Sequence, residues 1–133
     1  IWVDNLHSYG TPNYYVQQLF ARNRGDVIVP VKLDAATGKR LYASATRDDA
    51  TGEVIVKVVN GDTAPAEVKL NLPALGKSTA QARVTVLASA NRADENSFTE
   101  PKKIFPIETT LPITTKDFAH SFPANSLTVL RIK

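Results

Sequence analysis

Two pairs of adjacent carboxylates, Asp48-Asp49 and Asp94-Glu95, and two histidines, His7 and His120, are the side chains best suited to acid–base chemistry in this sequence. Carboxylates held about 5 Å apart on a rigid scaffold can share the roles of acid and nucleophile, as in glycoside hydrolysis with retention. Both pairs, however, lie in stretches rich in Gly, Asn and Ala. Aspartate and asparagine are favoured there because they hydrogen-bond their own backbone, so turn formation is the expected role. A calcium loop would need about six or more oxygens, and the spaced Asp-x-Asp-x-Asp pattern is absent. The histidines lie far apart, with no cysteine in the chain and no second histidine four residues away to complete a metal site. Asp117, His120 and Ser121 are the residue types of a nucleophilic triad, but neighbours on a strand point to opposite faces and cannot converge. No catalytic residue, metal ligand or cofactor site is expected.

Aromatic side chains can stack on the apolar faces of sugar rings. The ten here are Trp2, Tyr9, Tyr14, Tyr15, Phe20, Tyr42, Phe98, Phe105, Phe118 and Phe122, and half of them fall within the first twenty residues. The later ones are mostly single phenylalanines in apolar context, which points to core packing more than to an independent sugar site.

The elements that would position these residues change character near Gly25. Before it, Thr11-Pro12 has the chemistry of a helix start, a hydroxyl cap followed by proline at the first helical position. Tyr15, Val16, Leu19 and Phe20 recur on one face of the expected helix 12–24. Arg22 and Arg24 suit its C-terminal end, and Gly25 is expected to close it in a left-handed conformation. Beyond Gly25 the pattern is β, with strands expected at 27–33, 41–47, 53–60, 66–72, 81–88, 104–110, 117–122 and 126–133. Turn signals separate them at 36–38, 48–52, 60–62, 73–76 and 90–95. Val68, Leu70 and Leu72 alternate with Glu67, Lys69 and Asn71, as on a strand with one wet face. The stretch 53–60 is nearly all apolar, so it should be a central strand or one covered on both faces, with Val56 and Val58 buried and Lys57 near a sheet surface. The fold class expected is mainly β: an antiparallel, jelly-roll-like β-sandwich preceded by one amphipathic helix.

A length of 133 residues, 43% of them hydrophobic and 22% charged, suits one ordinary domain with a real core. The net charge is +3, but lysines and arginines are scattered singly or in pairs among acidic residues, so no nucleic-acid partner is expected. No apolar run approaches the roughly 18 residues that a membrane helix needs, so no membrane partner is expected either. The absence of cysteine excludes disulfides and thiolate chemistry. With no methionine to initiate it, the chain is expected to be a piece of something longer.

Several stretches carry a resemblance that spans the chain in order. They are Trp2-Val3-Asp4-Asn5, then Ser8-Tyr9-Gly10-Thr11-Pro12-Asn13-Tyr14-Tyr15-Val16-Gln17-Gln18-Leu19-Phe20, Leu41-Tyr42-Ala43-Ser44-Ala45 and Val56-Lys57-Val58-Val59-Asn60. Asn96-Ser97-Phe98 with Pro101 follows, then the ending from Phe122-Pro123-Ala124-Asn125-Ser126 to Leu127-Thr128-Val129-Leu130-Arg131. This pattern resembles the family 51 α-L-arabinofuranosidases, glycoside hydrolases that release terminal arabinofuranose from arabinoxylan and arabinan. The resemblance implies that residues 1–25 are the end of an upstream (β/α)8 catalytic barrel and residues 26–133 a C-terminal β-sandwich domain. The family's acid/base glutamate sits in an Asn-Glu dipeptide; only the reverse, Glu95-Asn96, occurs here, so no catalytic residue carries over.

A non-catalytic domain that stabilises the barrel is therefore the expected function, with Tyr15, Val16, Leu19 and Phe20 as inter-domain packing residues. The implied partners are that barrel, plant polysaccharide through the intact enzyme, and a second copy of the chain if the helix pairs with itself. Secretion, or a periplasmic location, is implied by the polymeric substrates. The rival expectations are a carbohydrate-binding module, which exposed aromatics on one sheet face would favour, and an autonomous enzyme, which would need a cleft of converging polar residues.

Overall fold

The alternation at Val68 and Leu70 sets one layer of the molecule, and the apolar stretch at 54–60 sets the other. The computed structural model describes residues 1–33, 40–73 and 80–133. The elements in chain order are β1 (Trp2–Val3), β2 (Ser8–Tyr9), α1 (Pro12–Arg22), β3 (Val27–Val29), β4 (Leu41–Arg47), β5 (Val54–Asn60), β6 (Ala66–Asn71), β7 (Ala80–Ala88), β8 (Ile107–Ile113), β9 (Asp117–Phe122) and β10 (Ser126–Ile132). Six strands form one antiparallel sheet in the order β3-β4-β5-β10-β7-β8, and β6 pairs with β9 in a second sheet. β10 is paired on both sides, Leu130 standing opposite Val56 on β5 and Val84 on β7. This is a mainly β, sandwich-like fold.

The pleat sends alternate residues of the large sheet to its two faces. The inner face carries Leu41, Ala45, Val56, Val58, Ala82, Val84, Leu130 and Ile132, which pack against Val68 and Phe122 of the small sheet, with Phe118 and Leu70 at the margin. The outer face carries Ile55, Leu87, Leu127 and Val129, and these form a second core with Tyr15 and Leu19 of the helix and with Ile104. The all-apolar character of β5 thus has a simple cause: it is covered by β-ribbon on one side and by helix on the other. Val56 and Val58 are buried as expected. Lys57 departs from expectation, being only 8% exposed because the helix lies over it.

Local structure follows the turn chemistry at several points. Between β4 and β5, Asp48 Oδ1 accepts from the amides of Ala50 (3.0 Å) and Thr51 (3.1 Å), and Gly52 takes a φ of 74°. Asn60 joins the layers: its Nδ2 donates to the carbonyls of Ala64, Phe122 and Pro123. The expected strand 104–110 lies instead at Ile107–Ile113. Ile104 is buried from a loop, and Pro112 is tolerated because β8 is the edge of the large sheet. The strand expected at 27–33 stops at Val29, before Pro30. The turns expected at 36–38 and 74–76 lie outside the described residues. The hairpin β1–β2, absent from the sequence expectations, is turned by Asp4, whose Oδ1 accepts from the amides of Leu6 and His7.

Candidate functional site

Thr11 and Pro12 start the helix as the sequence indicates: Thr11 is extended, at φ −75° and ψ 162°, and its Oγ1 accepts from the Tyr14 amide at 3.1 Å. The other end differs. The cap is Asn23, whose backbone and side-chain N–H groups both donate to Leu19 O, and Gly25 is not left-handed. Glycine is required at position 25 for a different reason. A Cβ there would stand 2.7 Å from Thr46 Cβ and 2.8 Å from Arg47 O, so only glycine lets the chain pass this close to β4.

From this helix the four candidate packing residues divide. Tyr15 and Leu19 point down and are buried in the outer core with Ile55, Leu87, Leu127 and Val129. They are therefore occupied against the sandwich within this chain. Val16 and Phe20 line an open groove of about 370 Å³ between helix and sheet, shared with Val59, Leu87, Ile104 and Leu127. Phe20 is 42% exposed, and the Lys57 Nζ lies 5.7 Å from its ring centroid. Beyond the helix the outer sheet face continues over β4 and β3, where Tyr42 is 62% and Ile28 83% exposed. Phe20, Tyr42 and Ile28 thus leave apolar surface uncovered on this side of the molecule.

Charge ties β10 to the connection between β4 and β5 and touches the end of the helix. Arg131, on the outer face of β10, donates through Nε to Glu53 Oε2 at 2.8 Å and through Nη2 to the same carboxylate. It also reaches Asp48 Oδ2 and the helix-capping Asn23 Oδ1, each at 3.4 Å. The hydrogen bond from Arg131 holds the Glu53 carboxyl below its ordinary pKa. Turn amides, foremost that of Thr51, do the same for Asp48. Burial lowers the pKa of the Lys57 ammonium, and the like charge of Arg131 adds to the effect.

The residues weighed for catalysis are not brought together. Asp48 accepts turn amides, Asp94 is held by Ser89 Oγ (2.5 Å) and Lys103 Nζ (2.9 Å), and His7 pairs with Asp4 on the surface. His120 faces the interior, edge-on to Phe122 at 4.9 Å, while Ser121 points to solvent. Sequence reasoning missed Asn96 as a structural hub. It is buried, and its side chain donates to Gly10 O and Ile104 O (2.8 Å each) and accepts from the Ile104 amide (2.7 Å). Phe98 and Phe105, expected in the core, are partly exposed and pack edge-on against Tyr9 and Tyr15 of the lead-in.

The same lead-in, helix and sandwich recur together in known proteins. A family profile described as "Alpha-L-arabinofuranosidase C-terminal domain" matches residues 1–126. The chain belongs to this family. Its relatives include α-L-arabinofuranosidase 1 of Arabidopsis thaliana, 30% identical over 92% of this chain and 19% of that protein. Another is the probable α-L-arabinofuranosidase A of Aspergillus oryzae, 33% identical over 97% of this chain and 20% of its own length. Among solved structures, an arabinose-bound family 51 α-L-arabinofuranosidase superposes with a TM-score of 0.85 at 25% identity, over 98% of this chain and 20% of that one. The family 51 enzyme of Thermotoga petrophila shares the fold, with a TM-score of 0.82 over 94% of this chain. This C-terminal domain spans about a fifth of the curated relatives it matches. One relative, from Streptomyces chartreusis, is described as extracellular. Among the described residues, no helix is long and apolar enough to cross a membrane.

Proposed function

We propose that this domain is the non-catalytic C-terminal part of an α-L-arabinofuranosidase, that residues 1–25 are the end of its catalytic barrel, and that the domain braces that barrel. The observation that carries this is the match of nearly the whole chain to one end of enzymes about five times as long. The helix supplies the joint. Tyr15 and Leu19 fasten it to the sandwich, and Val16 and Phe20, with the exposed Tyr42 and Ile28, are left for side chains of the barrel. Burying such side chains is worth roughly 1.5–3 kcal/mol each, enough to hold two domains in one orientation. The parent would act outside the cytoplasm on arabinan or arabinoxylan, in keeping with its extracellular relative.

The test compares this chain with the same chain joined to its upstream barrel. The joined protein should hydrolyse aryl α-L-arabinofuranosides and the present chain should not. Hydrogen exchange should slow around Phe20, Ile28 and Tyr42 in the joined protein only. Unchanged exchange at those positions would exclude the bracing surface, and activity in the present chain would exclude a non-catalytic role.

A further inference from the structure

Asn60 is the one asparagine of this sequence that is followed by glycine. Such a pair is prone to deamidation. Once the Gly61 nitrogen gives up its proton it can attack the Asn60 carboxamide carbon, and the new C–N bond closes a five-membered succinimide ring. The Cγ–Nδ2 bond breaks, and ammonia leaves carrying that proton. Water then opens the ring at either carbonyl, which leaves aspartate or isoaspartate at position 60. Glycine favours the step because, with no Cβ, it neither crowds the attacking nitrogen nor restricts the rotation that brings it to Cγ.

In the folded chain both reacting groups are held elsewhere. The Gly61 N–H donates to Arg40 O at 2.9 Å, so the nitrogen that would attack is spent in a hydrogen bond. Asn60 is only 1% exposed. Its Nδ2 donates to the carbonyls of Ala64 (2.9 Å), Phe122 (3.1 Å) and Pro123 (3.0 Å), and its Oδ1 accepts from the Asp62 amide at 3.0 Å. The residue also stands in the ladder, opposite Leu41 on β4 and Ser126 on β10. Nitrogen and carboxamide can meet only after the end of β5 has left its neighbours.

We propose that Asn60-Gly61 is a deamidation site that the fold keeps closed, and that its reaction in the opened chain turns reversible unfolding into permanent loss. The product cannot take the place of the amide. An aspartate carboxylate has no N–H to donate, so at neutral pH it would set a buried charge against the three carbonyl oxygens that Asn60 now satisfies. Isoaspartate adds a carbon to the backbone at the same point and breaks the match to Leu41 and Ser126. The chemistry is independent of the arabinofuranosidase function proposed above.

The experiment holds the chain at mildly alkaline pH, native or in guanidinium chloride, and follows it by trypsin digestion and mass spectrometry. The peptide Val58–Lys69 reports on Asn60 alone, since it contains no other asparagine or glutamine. Conversion should be at least about a thousandfold slower in the native chain, because it waits for a buried strand to open. Gly61→Ala should keep the fold, its Cβ meeting Arg40 O at 3.4 Å. It should slow conversion of the unfolded chain by about tenfold, through the conformational freedom that alanine lacks. On dilution from denaturant, the wild-type fraction that regains native circular dichroism should fall in step with conversion, while Gly61→Ala goes on refolding. Asn60→Asp, made directly, should fail to refold at neutral pH. Equal conversion in native and unfolded chains would overturn the closed site. A converted chain, or an Asn60→Asp variant, that refolds with the wild-type denaturation midpoint would overturn the permanent loss.

Discussion

Leu19→Ala tests whether helix α1 is part of the domain's cooperative unit or a passenger on its surface. Leu19 is buried against Ile55, Leu87, Leu127 and Val129. Alanine removes three carbons, worth about 2.4 kcal/mol at roughly 0.8 kcal/mol per methylene. A residual cavity raises the expected cost to about 3 kcal/mol. A helix can escape a cavity by lifting off, so the loss may not exceed the free energy of its own docking; native-state hydrogen exchange of Tyr14–Asn23 and Ile55–Val59, with urea unfolding, separates the two outcomes. If helix and sheet unfold together, both segments should lose protection by about a hundredfold, since uncovering the outer face exposes Ile55 and Val129 as well. A loss below about 0.5 kcal/mol, or one confined to the helix with β5 unchanged, would refute the view that the outer core is a structural core.

Asn96→Ala should cost about 3 kcal/mol in the urea unfolding free energy, because it removes three hydrogen bonds and strands the buried backbone groups of Ile104 and the half-buried carbonyl of Gly10. Lys57→Met should leave stability unchanged or raise the melting temperature by a few degrees, since it replaces a buried ammonium that has no carboxylate partner among the described residues with an apolar chain of similar length. His120 has a pKa lowered by burial, with the Glu67 carboxylate opposing the shift, and its Nε2 is buried without a partner among the described residues. The unfolded chain therefore takes up a proton that the folded one resists, and stability should fall as pH drops below the ordinary histidine value of 6.5. His120→Leu should flatten the urea midpoint between about pH 6.5 and 5, and an unchanged slope would show that other groups set it.

The sequence made the large elements legible where one local rule decides them. Thr11-Pro12 is the helix cap, and the alternation of Val68 and Leu70 gives β6 its buried face. The Asp48 to Gly52 turn closes β4–β5 as its chemistry requires. What was not legible depends on neighbours distant in sequence. Lys57 was expected near a surface because nothing local says that a helix some 40 residues earlier would cover it. Gly25 has the chemistry of a helix cap, yet what fixes it is the approach of Thr46 and Arg47. Ile104 looks like the start of a strand, but it is buried because Asn96 draws its loop inward. For the candidate site, the four apolar helix residues were identifiable from their spacing. Which two face the sandwich is a matter of helix rotation, and spacing alone does not determine it.

β10 is the last strand of this sequence to leave the ribosome, and it fills the slot between β5 and β7. Until Ser126–Ile132 has emerged, the two halves of the large sheet have no ladder between them, and Val56, Val58 and Val84 lack the strand that they flank. Assembly during translation is therefore postponed to the end of this region, and hairpins made earlier must wait with open edges, a state prone to mispairing. Stalled synthesis or loss of those seven residues would leave a chain with nearly all its secondary-structure information and no way to close its sheet. The strand acts as a latch: without it, β5 and β7 each keep an open edge.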